Sequence, residues 1–467
     1  MRLLKGGKVK AFYFLFNIFW GDLFYIPLPN GGSVGVSLLV IILLSLGIYF
    51  SLLLRFVQFR HLPDMIRITK EKKGENGRAL SGVQTLIIST ATRVGMGNLV
   101  GVVAAISLGG AGAVFWMWVS AIFGAATAFA EGTLAHKYRT DDKLYGGYKG
   151  GPAYYLDHLL RGRKRRSVIA VLFSLSGLLC WCGISQVIGN SVSSAVENAF
   201  SIPPYASAAV LVGIAAVIVL RKNTTVRVLD VMVPLMAALY FAITLFIIVR
   251  NISLLPSVFR RIFEEAFGIR EAVAGGIGAV LMNGIKRGLF SNEAGSGSAP
   301  CAAAAASLKH PVEAGLLQSL GVFIDTLVIC TCSAFIMLLT PDSLVNDKVG
   351  MDLLQSAMVY HLGPAGSILI ALTIFLFSFS TFIGILFYAR SNVSYIFGEN
   401  WLSQTLYKIL ALVMLFIGCI SQYAFVWDLG DFGIALMTVF NLIALIPMSK
   451  EVLNMLMDYE GAKQKRS

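Results

Sequence analysis

The sequence predicts an all-α polytopic membrane protein, and three observations support that prediction. Hydrophobic residues make up 57% of the 467 residues, and charged residues make up only 13%, whereas about 25% of a typical soluble domain is charged. The hydrophobic residues form long continuous stretches without the alternation of an outer-membrane barrel. Such stretches must be helical, because open sheet edges cannot face lipid. This composition indicates a lipid bilayer as the surroundings and excludes a nucleic-acid-binding module.

Eleven charge-poor stretches are long enough to be candidate spans, since a helix needs about 20 apolar residues to cross the hydrocarbon core. In chain order they are 33–54, 81–107, 112–135, 168–197, 204–220, 229–249, 272–300, 313–340, 365–389, 409–426 and 429–448. We therefore predict about 11 transmembrane helices.

A twelfth candidate, residues 11–29, is interrupted by Asp22, Pro27 and Pro29 and is rich in aromatic residues. That mixture is typical of a helix lying in the membrane interface. We expect residues 1–32 to form a basic and interfacial aromatic N-terminal segment. A true span over 11–29 is the alternative, and it would move the N-terminus to the other side.

The basic residues predict the orientation. If connection 55–80 is cytoplasmic, alternation of the spans places 26 of the 38 Lys and Arg residues on that side and nine on the other. Cytoplasmic connections carry such an excess. The sequence thus indicates a multi-pass protein of a bacterial-type plasma or inner membrane, with a cytoplasmic tail at 449–467.

Two of the predicted spans contain signals for a broken helix. The second span carries Gly95-Met96-Gly97 followed by Asn98, and the seventh carries Asn292 followed by Gly295-Ser296-Gly297. Glycines beside polar residues weaken a membrane helix and free backbone groups for binding. Close packing of small residues is the alternative explanation, but it does not account for the polar residues at both places.

Cutting the chain at these two spans gives five helices in 81–249 and five in 272–448, preceded by one helix in 33–57. Because five is odd, the second unit begins on the opposite side of the membrane from the first. Inverted repeats whose first helices are broken are typical of secondary transporters with a binding site at the bilayer midplane.

At these residues the sequence resembles the alanine/glycine:cation symporter family. The matching stretches include RVGMGNLVGVVAAISLGGAGAVFWMW at 93–118, KRGLFSNEAGSGSAP at 286–300 and KHPVEAGLLQSLGVFIDTLV at 309–328. The resemblance implies a LeuT-type five-plus-five fold and coupling of Na⁺ or H⁺ entry to the uptake of a small neutral amino acid such as alanine or glycine. It implies no enzymatic activity and no cofactor besides the coupling ion.

The resemblance also implies roles for particular residues. The residues expected to bind substrate are Gly95, Met96, Gly97, Asn98, Gln186, Ile188, Asn190, Ser291, Asn292, Gly295 and Ser296. Those expected to bind the cation are Ala91, Val94, Asn98, Asp325, Ser380 and Thr381. For Ser380 and Thr381, hydrogen bonds to carbonyls of their own helix are the alternative.

Other charged residues lie in or beside the spans. We expect Lys286 and Arg287 to pair with Glu293 near the second break, and attraction of an anionic substrate toward the site is the alternative. For Glu131, an ion pair with Arg139 or the loop after it is as reasonable as a functional role.

Some residues depart from the family pattern. Met96 stands where the family usually has Thr, Ile188 where it has Gln, and Cys301 and Ala303 where His is common. Loss of polar groups from a pocket shifts selectivity, so a more apolar amino acid is the alternative substrate.

Other functions are less well supported. A channel is a distant alternative, because the polar residues gather at two breaks in one chain. The six cysteines lie in apolar stretches without ligand clusters, so we expect no transition metal. The sequence does not indicate the oligomeric state.

Overall fold

A computed structural model describes residues 22–27, 33–70, 80–161, 166–221, 224–269, 276–344, 348 and 350–465. Every predicted span overlaps a helix or a pair of half-helices, but the span predicted at 33–54 begins in the strand Ser33–Ser37 and is helical only from Leu38. We number them α1 (Leu38–Leu53), α2 (Gly82–Arg93 and Gly97–Gly109), α3 (Gly112–Lys137), α4 (Val168–Phe200), α5 (Pro204–Val219), α6 (Thr224–Arg250), α7 (Gly276–Asn292 and Pro300–Ala304), α8 (Pro311–Leu338), α9 (Ala365–Phe397), α10 (Trp401–Ile420) and α11 (Tyr423–Leu445).

Seven of these helices, within the described residues, are individually long and apolar enough to cross a membrane. The bent pair of half-helices in α2 makes an eighth candidate, while α1 and α5 are shorter apolar helices. The number of 11 spans therefore stays a prediction.

Shorter elements connect the spans. The helices are Val57–Arg60, Leu62–Thr69, Pro152–Leu160, Leu255–Ala266, Met351–Leu362 and Ser449–Gln464, with single 3₁₀ turns at Ile252–Leu254 and Asp342–Leu344. A small antiparallel hairpin pairs Thr140–Asp141 with Tyr148–Lys149 in the connection between α3 and α4.

The N-terminal prediction is wrong over part of its length. Asp22–Pro27 form a β-strand that pairs antiparallel with Ser33–Ser37, where the aromatic composition suggested an interfacial helix. Proline and the nearby glycines disfavour a helix and suit a hairpin. Residues 1–21, which contain the rest of the predicted helix, lie outside the described residues.

The helices pack around α4 and α3. The long helix α4 contacts α9, α10 and α11, while α3 contacts α7 and α8. Large apolar side chains on the outer helices are exposed, among them Val210 on α5 and Val231 and Leu235 on α6, each more than 60% exposed. An apolar exterior of this extent suits lipid as the solvent.

The C-terminal helix, Ser449–Gln464, is held against the connection that follows α1 by a partly buried ionic cluster. His61 places Nδ1 2.8 Å from Asp64 Oδ2 and Nε2 2.9 Å from Glu460 Oε1. Lys463 donates to both oxygens of Asp64 at 2.8 and 2.9 Å, and Arg60 donates to Glu460 at 2.8 Å. Burial tends to raise the pKa of Asp64, but hydrogen bonds from Lys463 and His61 hold that pKa below its usual value.

We expect Asp64→Asn to loosen the C-terminal helix, because the neutral amide loses its ionic bonds to Lys463 and His61. Hydrogen–deuterium exchange of purified protein in detergent should quicken over 449–464. Since the folded pKa of Asp64 is lowered, its contribution is present above the unfolded value of about 3.9 and is lost as the pH falls through the lowered value. The exposed Asp458→Asn is the control, and equal exchange in both variants would contradict the assignment.

Candidate functional site

The first break lies in α2, whose two half-helices meet at an angle of 48°. Val94 adopts φ −73° and ψ 74°, so the amide of Gly95 donates to the carbonyl of Arg93 at 2.8 Å in a tight turn. The chain then continues as a wide π-helical turn over Gly97–Gly101. A Cβ on Gly95 would lie 1.9 Å from Thr381 Oγ1, so glycine permits the close approach of α9 to this turn.

The second break separates Gly276–Asn292 from Pro300–Ala304 in α7. Three of its residues have left-handed backbone conformations, with φ of 55° at Glu293, 86° at Gly295 and 81° at Gly297. Glycine adopts this region without strain, whereas a residue such as Glu293 does so at some cost. The breaks adjoin, because a Cβ on Gly97 would lie 3.5 Å from Ser291 Cα.

Arg93 ties the first break to the second. It is only 1% exposed, and its Nε donates to the carbonyl of Asn292 at 2.9 Å while Nη1 donates to the carbonyl of Gln318 at 3.2 Å. Asn292 is the last residue of its half-helix, where carbonyls lack intrahelical partners and the helix dipole is negative. A guanidinium therefore supplies both the hydrogen bond and the charge that this helix end needs.

Glu131 performs the complementary task from α3. Its carboxylate, which is fully buried, accepts from the amides of Gly295 at 2.9 Å and Gly297 at 3.0 Å and from the side chain of Asn441. The expected pairing with Arg139 is wrong, since Arg139 donates to the carbonyl of Ala306. The amides freed by the break in α7 are stronger partners for Glu131, because they are buried and fixed beside it.

Asp325 connects both breaks. It lies in a π-helical stretch of α8, Phe323–Cys330, and is fully buried. Its carboxylate accepts from Asn98 Nδ2 at 2.6 Å, from Ser291 Oγ at 2.9 Å and from Thr326 Oγ1 at 2.7 Å. Asn98 Oδ1 in turn accepts from the amide of Gly95 at 2.9 Å. One carboxylate thus gathers a side chain from each broken helix.

Ser380 and Thr381 face the first break from α9. Ser380 Oγ lies 3.3 Å from the carbonyl oxygen of Ala91, and Thr381 Oγ1 lies 3.4 Å from the amide of Met96. Both hydroxyls also donate to the carbonyl of Phe377, at 2.8 and 2.9 Å. The bonding within their own helix is therefore present together with the contact to α2.

Three expected residues on α4 are not brought to the breaks by any contact that the structure shows. Gln186 Nε2 lies 3.4 Å from Met414 Sδ, and Asn190 Nδ2 donates to the carbonyl of Ser421 at 2.8 Å, so both side chains face α10 and its end. Ile188 is fully buried in the same helix.

The remaining residues of the second break use their side chains locally. Asn292 Oδ1 accepts from the amide of Ala294 at 3.0 Å, and Ser296 Oγ donates to the carbonyl of Glu293 at 2.7 Å. Neither contact reaches across to the first break.

The expected pairing of Lys286 and Arg287 with Glu293 is wrong. Their side chains approach Asp431 on α11, at 3.9 and 3.5 Å. In a helix these two residues precede Glu293 by more than one turn, and the chain turns away after Asn292. Within the described residues no cluster of three or more His, Cys, Asp or Glu side chains could hold a metal ion.

Two residues with contacts at the site were not predicted from the sequence. Asn441 donates to both Glu131 and the carbonyl of Gly295, the latter at 3.0 Å, and Tyr388 bonds through its hydroxyl to Thr92. An asparagine inside an apolar stretch needs a partner in the membrane, so Asn441 could have been identified from the sequence as a candidate site residue. Tyr388 could not have been identified in this way, because a tyrosine on an apolar helix is common.

We expect Glu131→Gln to lower the stability of the protein. The amide group of Gln cannot accept hydrogen bonds on its nitrogen, so at least one buried backbone amide of the second break loses its partner, at about 1–3 kcal/mol. Thermal unfolding in detergent should occur at a lower temperature. The control, Glu264→Gln, alters an exposed ion pair with Arg260 and should have little effect; equal melting of the two variants would contradict the role of Glu131.

Comparison with known proteins agrees with this geometry. Residues 29–467 match the model of the sodium:alanine symporter family. The chain is 40% identical to the probable sodium/glutamine symporter GlnT of Bacillus subtilis, over 92% of this chain and 89% of that protein. It is 34% identical to the sodium/alanine symporter AgcS of Methanococcus maripaludis, over 89% of this chain and 92% of that protein.

Solved structures show the fold. MhsT in complex with L-phenylalanine aligns with a TM-score of 0.57 at 14% identity, over 79% of this chain and 88% of that one. A Na⁺-coupled sialic acid symporter aligns with a TM-score of 0.52 at 14% identity, over 90% and 84% of the two chains. The predicted LeuT-type helical fold is confirmed.

The predicted function class and location are confirmed in general terms. The family consists of transporters and not enzymes, and a cation-coupled amino-acid symporter with many apolar helices is a multi-pass protein of the bacterial plasma membrane type. On the strength of a match over nearly its whole length, the chain belongs to the sodium:alanine symporter family.

Proposed function

We propose that this protein couples the inward movement of Na⁺ to the uptake of a small neutral amino acid, such as alanine or glycine, by alternating access. The observation that carries the proposal is the meeting of two broken helices around one carboxylate, Asp325, which holds Asn98 from α2 and Ser291 from α7. Two discontinuous helices that face each other in this way are the binding arrangement of inverted-repeat transporters.

The substrate carboxylate binds at the first break. The half-helix Gly97–Gly109 begins there, and helix N-termini present free amides and the positive end of the dipole to an anion. Gly97 itself is partly exposed, while its neighbours Met96 and Asn98 are buried. The backbone at Gly97 is thus open to a ligand that approaches the break.

Na⁺ binds between the first break and α9. Carbonyl oxygens of Ala91 and Val94 and the hydroxyls of Ser380 and Thr381 supply neutral oxygen ligands, the kind that hard cations prefer. The 3.3 Å approach of Ser380 Oγ to the carbonyl of Ala91 supports this grouping. Hydroxyls and carbonyls do not take up a proton near neutral pH, so this set favours Na⁺ over H⁺. Asp325 and Asn98 add negative charge and an amide oxygen on the other side of the turn.

A more apolar substrate is the second candidate. Gln186 and Asn190 face α10, so they add no polar group at the breaks, and Met96 at the first break stands where the family resemblance implies Thr. A pocket with fewer hydrogen-bonding groups favours the binding of apolar side chains over polar ones. The relative GlnT is named a probable sodium/glutamine symporter, so glutamine belongs in the same assay.

We expect liposomes containing the purified protein to accumulate a neutral amino acid when Na⁺ is imposed outside, because the inward gradient drives the cycle. Labelled glycine, alanine, glutamine, leucine and methionine should be compared at equal concentration. Accumulation of glycine and alanine above the others supports the first candidate, whereas preference for leucine or methionine supports the second.

The driving ion is tested in the same liposomes by imposing a proton gradient without Na⁺, which should give no uptake. Flux that rises linearly with concentration and shows no counter-flow would indicate a channel and contradict symport. Absence of uptake of every amino acid by folded protein would contradict it too.

We expect the double variant Ser380→Ala and Thr381→Ala to need at least about 5-fold more Na⁺ for half-maximal amino-acid binding, since it loses two oxygen ligands, each contributing roughly 0.5–1.5 kcal/mol. Binding should be measured in detergent over a Na⁺ titration. Ser378→Ala is the matched control, because Ser378 lies on the same helix and its hydroxyl has no hydrogen-bond partner in the described part of the chain. An unchanged Na⁺ requirement in the double variant would place the cation elsewhere.

A further inference from the structure

Glu293 is the charged residue of the second break. It directly follows the last residue of the first half of α7, with φ 55°. Its Oε2 accepts from Ser298 Oγ at 2.6 Å. Among the described residues no hydrogen bond to Oε1 is found, and the residue is partly exposed although Asn292 and Ala294 beside it are buried. One oxygen of the carboxylate is therefore open to the space beside the break.

Glu293 lies close to where the two breaks adjoin, because the carbonyl of Asn292 just before it accepts from Arg93 Nε at 2.9 Å. The carboxylate lies within electrostatic range of Arg93 on α2, Cys180 on α4 and Tyr388 on α9. Arg93 ends the half-helix before the first break, and the hydroxyl of Tyr388 bonds to Thr92 beside it. A ligand held between the breaks would thus meet Glu293 from the side of α7.

No basic side chain neutralises Glu293 by direct contact. The guanidinium of Arg93 donates to the carbonyls of Asn292 and Gln318, and within the described part of the chain no Lys, Arg or His nitrogen forms a salt bridge with the Glu293 carboxylate at 4.0 Å or less. Lys286 and Arg287, its nearest basic neighbours in sequence, approach Asp431 instead. A carboxylate away from bulk water is costly unless it is paired, so a cationic partner is expected to arrive with the ligand.

We propose that Glu293 binds the α-ammonium group of the transported amino acid. This inference rests on the proposed function and specifies the substrate class: a zwitterion with one α-ammonium and one carboxylate. The carboxylate of the ligand lies at the start of the Gly97–Gly109 half-helix, and the ammonium lies at Glu293. The contact of Gly97 with Ser291, two residues before Glu293, brings these two ends close to each other.

A bond between Glu293 and the ammonium group makes the site selective for ligands that carry a positive charge. An ammonium donates up to three hydrogen bonds, and the open oxygen of Glu293 accepts one of them. A 2-hydroxy acid such as lactate matches the carboxylate end of an amino acid but brings no positive charge, so it leaves Glu293 unpaired. We therefore expect the transporter to discriminate strongly between alanine and lactate, and we expect Glu293 to be the residue that causes the discrimination.

The test measures binding of L-alanine and L-lactate to full-length protein in detergent at saturating Na⁺, by competition with a labelled amino acid or by calorimetry. We expect Glu293→Gln to lower the affinity for alanine at least about 30-fold, since removal of one partner of a buried charge pair has an effect of this size or larger. The affinity for lactate should stay unchanged or rise, so the ratio of the two affinities collapses. Glu264→Gln, at an exposed ion pair, should leave both affinities unchanged.

Two measurements separate this role from others. Binding of ²²Na⁺ in the absence of amino acid should be the same in Glu293→Gln and wild type; loss of that binding would assign Glu293 to the cation and overturn the proposal. An equal loss of alanine and lactate affinity would show a structural role and also overturn it. The wild-type arm alone tests the proposed function, because a wild-type protein that binds no amino acid contradicts symport whatever Glu293 does.

Discussion

The structure depends on one constraint: two helices are broken inside the membrane, and the backbone groups that the breaks release have no water to bind. Each buried polar group without a partner costs several kcal/mol in such surroundings. Arg93 supplies a donor for the carbonyl end of the first half of α7, and Glu131 supplies acceptors for the amides of Gly295 and Gly297. Because these two side chains come from α2 and α3, they also fix the second break relative to the first repeat.

The charged and polar residues of the site have different roles: some hold the two breaks in place, and others are assigned to bind ligands. Arg93 and Glu131 bond mainly to backbone groups of the second break and of α8, so we assign them to holding the site. Asp325 links Asn98 and Ser291 across the two breaks. We assign the cation to the hydroxyl oxygens of Ser380 and Thr381, which lie beside the first break, and the ammonium group to the free carboxylate oxygen of Glu293.

Much of the fold could be predicted from the sequence, because lipid imposes a simple rule on helices. Continuous apolar stretches predicted the helices correctly except at residues 33–37, which form a strand, and glycine beside polar residues located both breaks. The strand Asp22–Pro27 was not predicted, since aromatic residues suit an interfacial helix and a hairpin equally well and the pairing with Ser33–Ser37 depends on tertiary structure.

The site was less predictable than the fold. Asn98, Ser291 and Asp325, which the family resemblance implied as site residues, lie in contact with one another. The direction of a side chain on a helix, however, depends on how that helix is rotated in the bundle. Gln186 and Asn190 consequently face α10, and Glu131 meets the backbone of α7 although Arg139 is nearer to it in sequence. Pairing between residues that are close in sequence is a poor guide where distant backbone groups are left without partners.

The central claim is that the ligand lies between the two breaks. The most direct measurement is an experimental structure of the protein with Na⁺ and L-alanine bound. We predict amino-acid density between the turn at Gly95–Met96–Gly97 and the segment that follows Asn292, with a cation next to Ser380 and Thr381. Density for the amino acid at any other place, such as the open cavity lined by Asn198, Asp352 and Gln355, with the space between the breaks empty, would contradict the account.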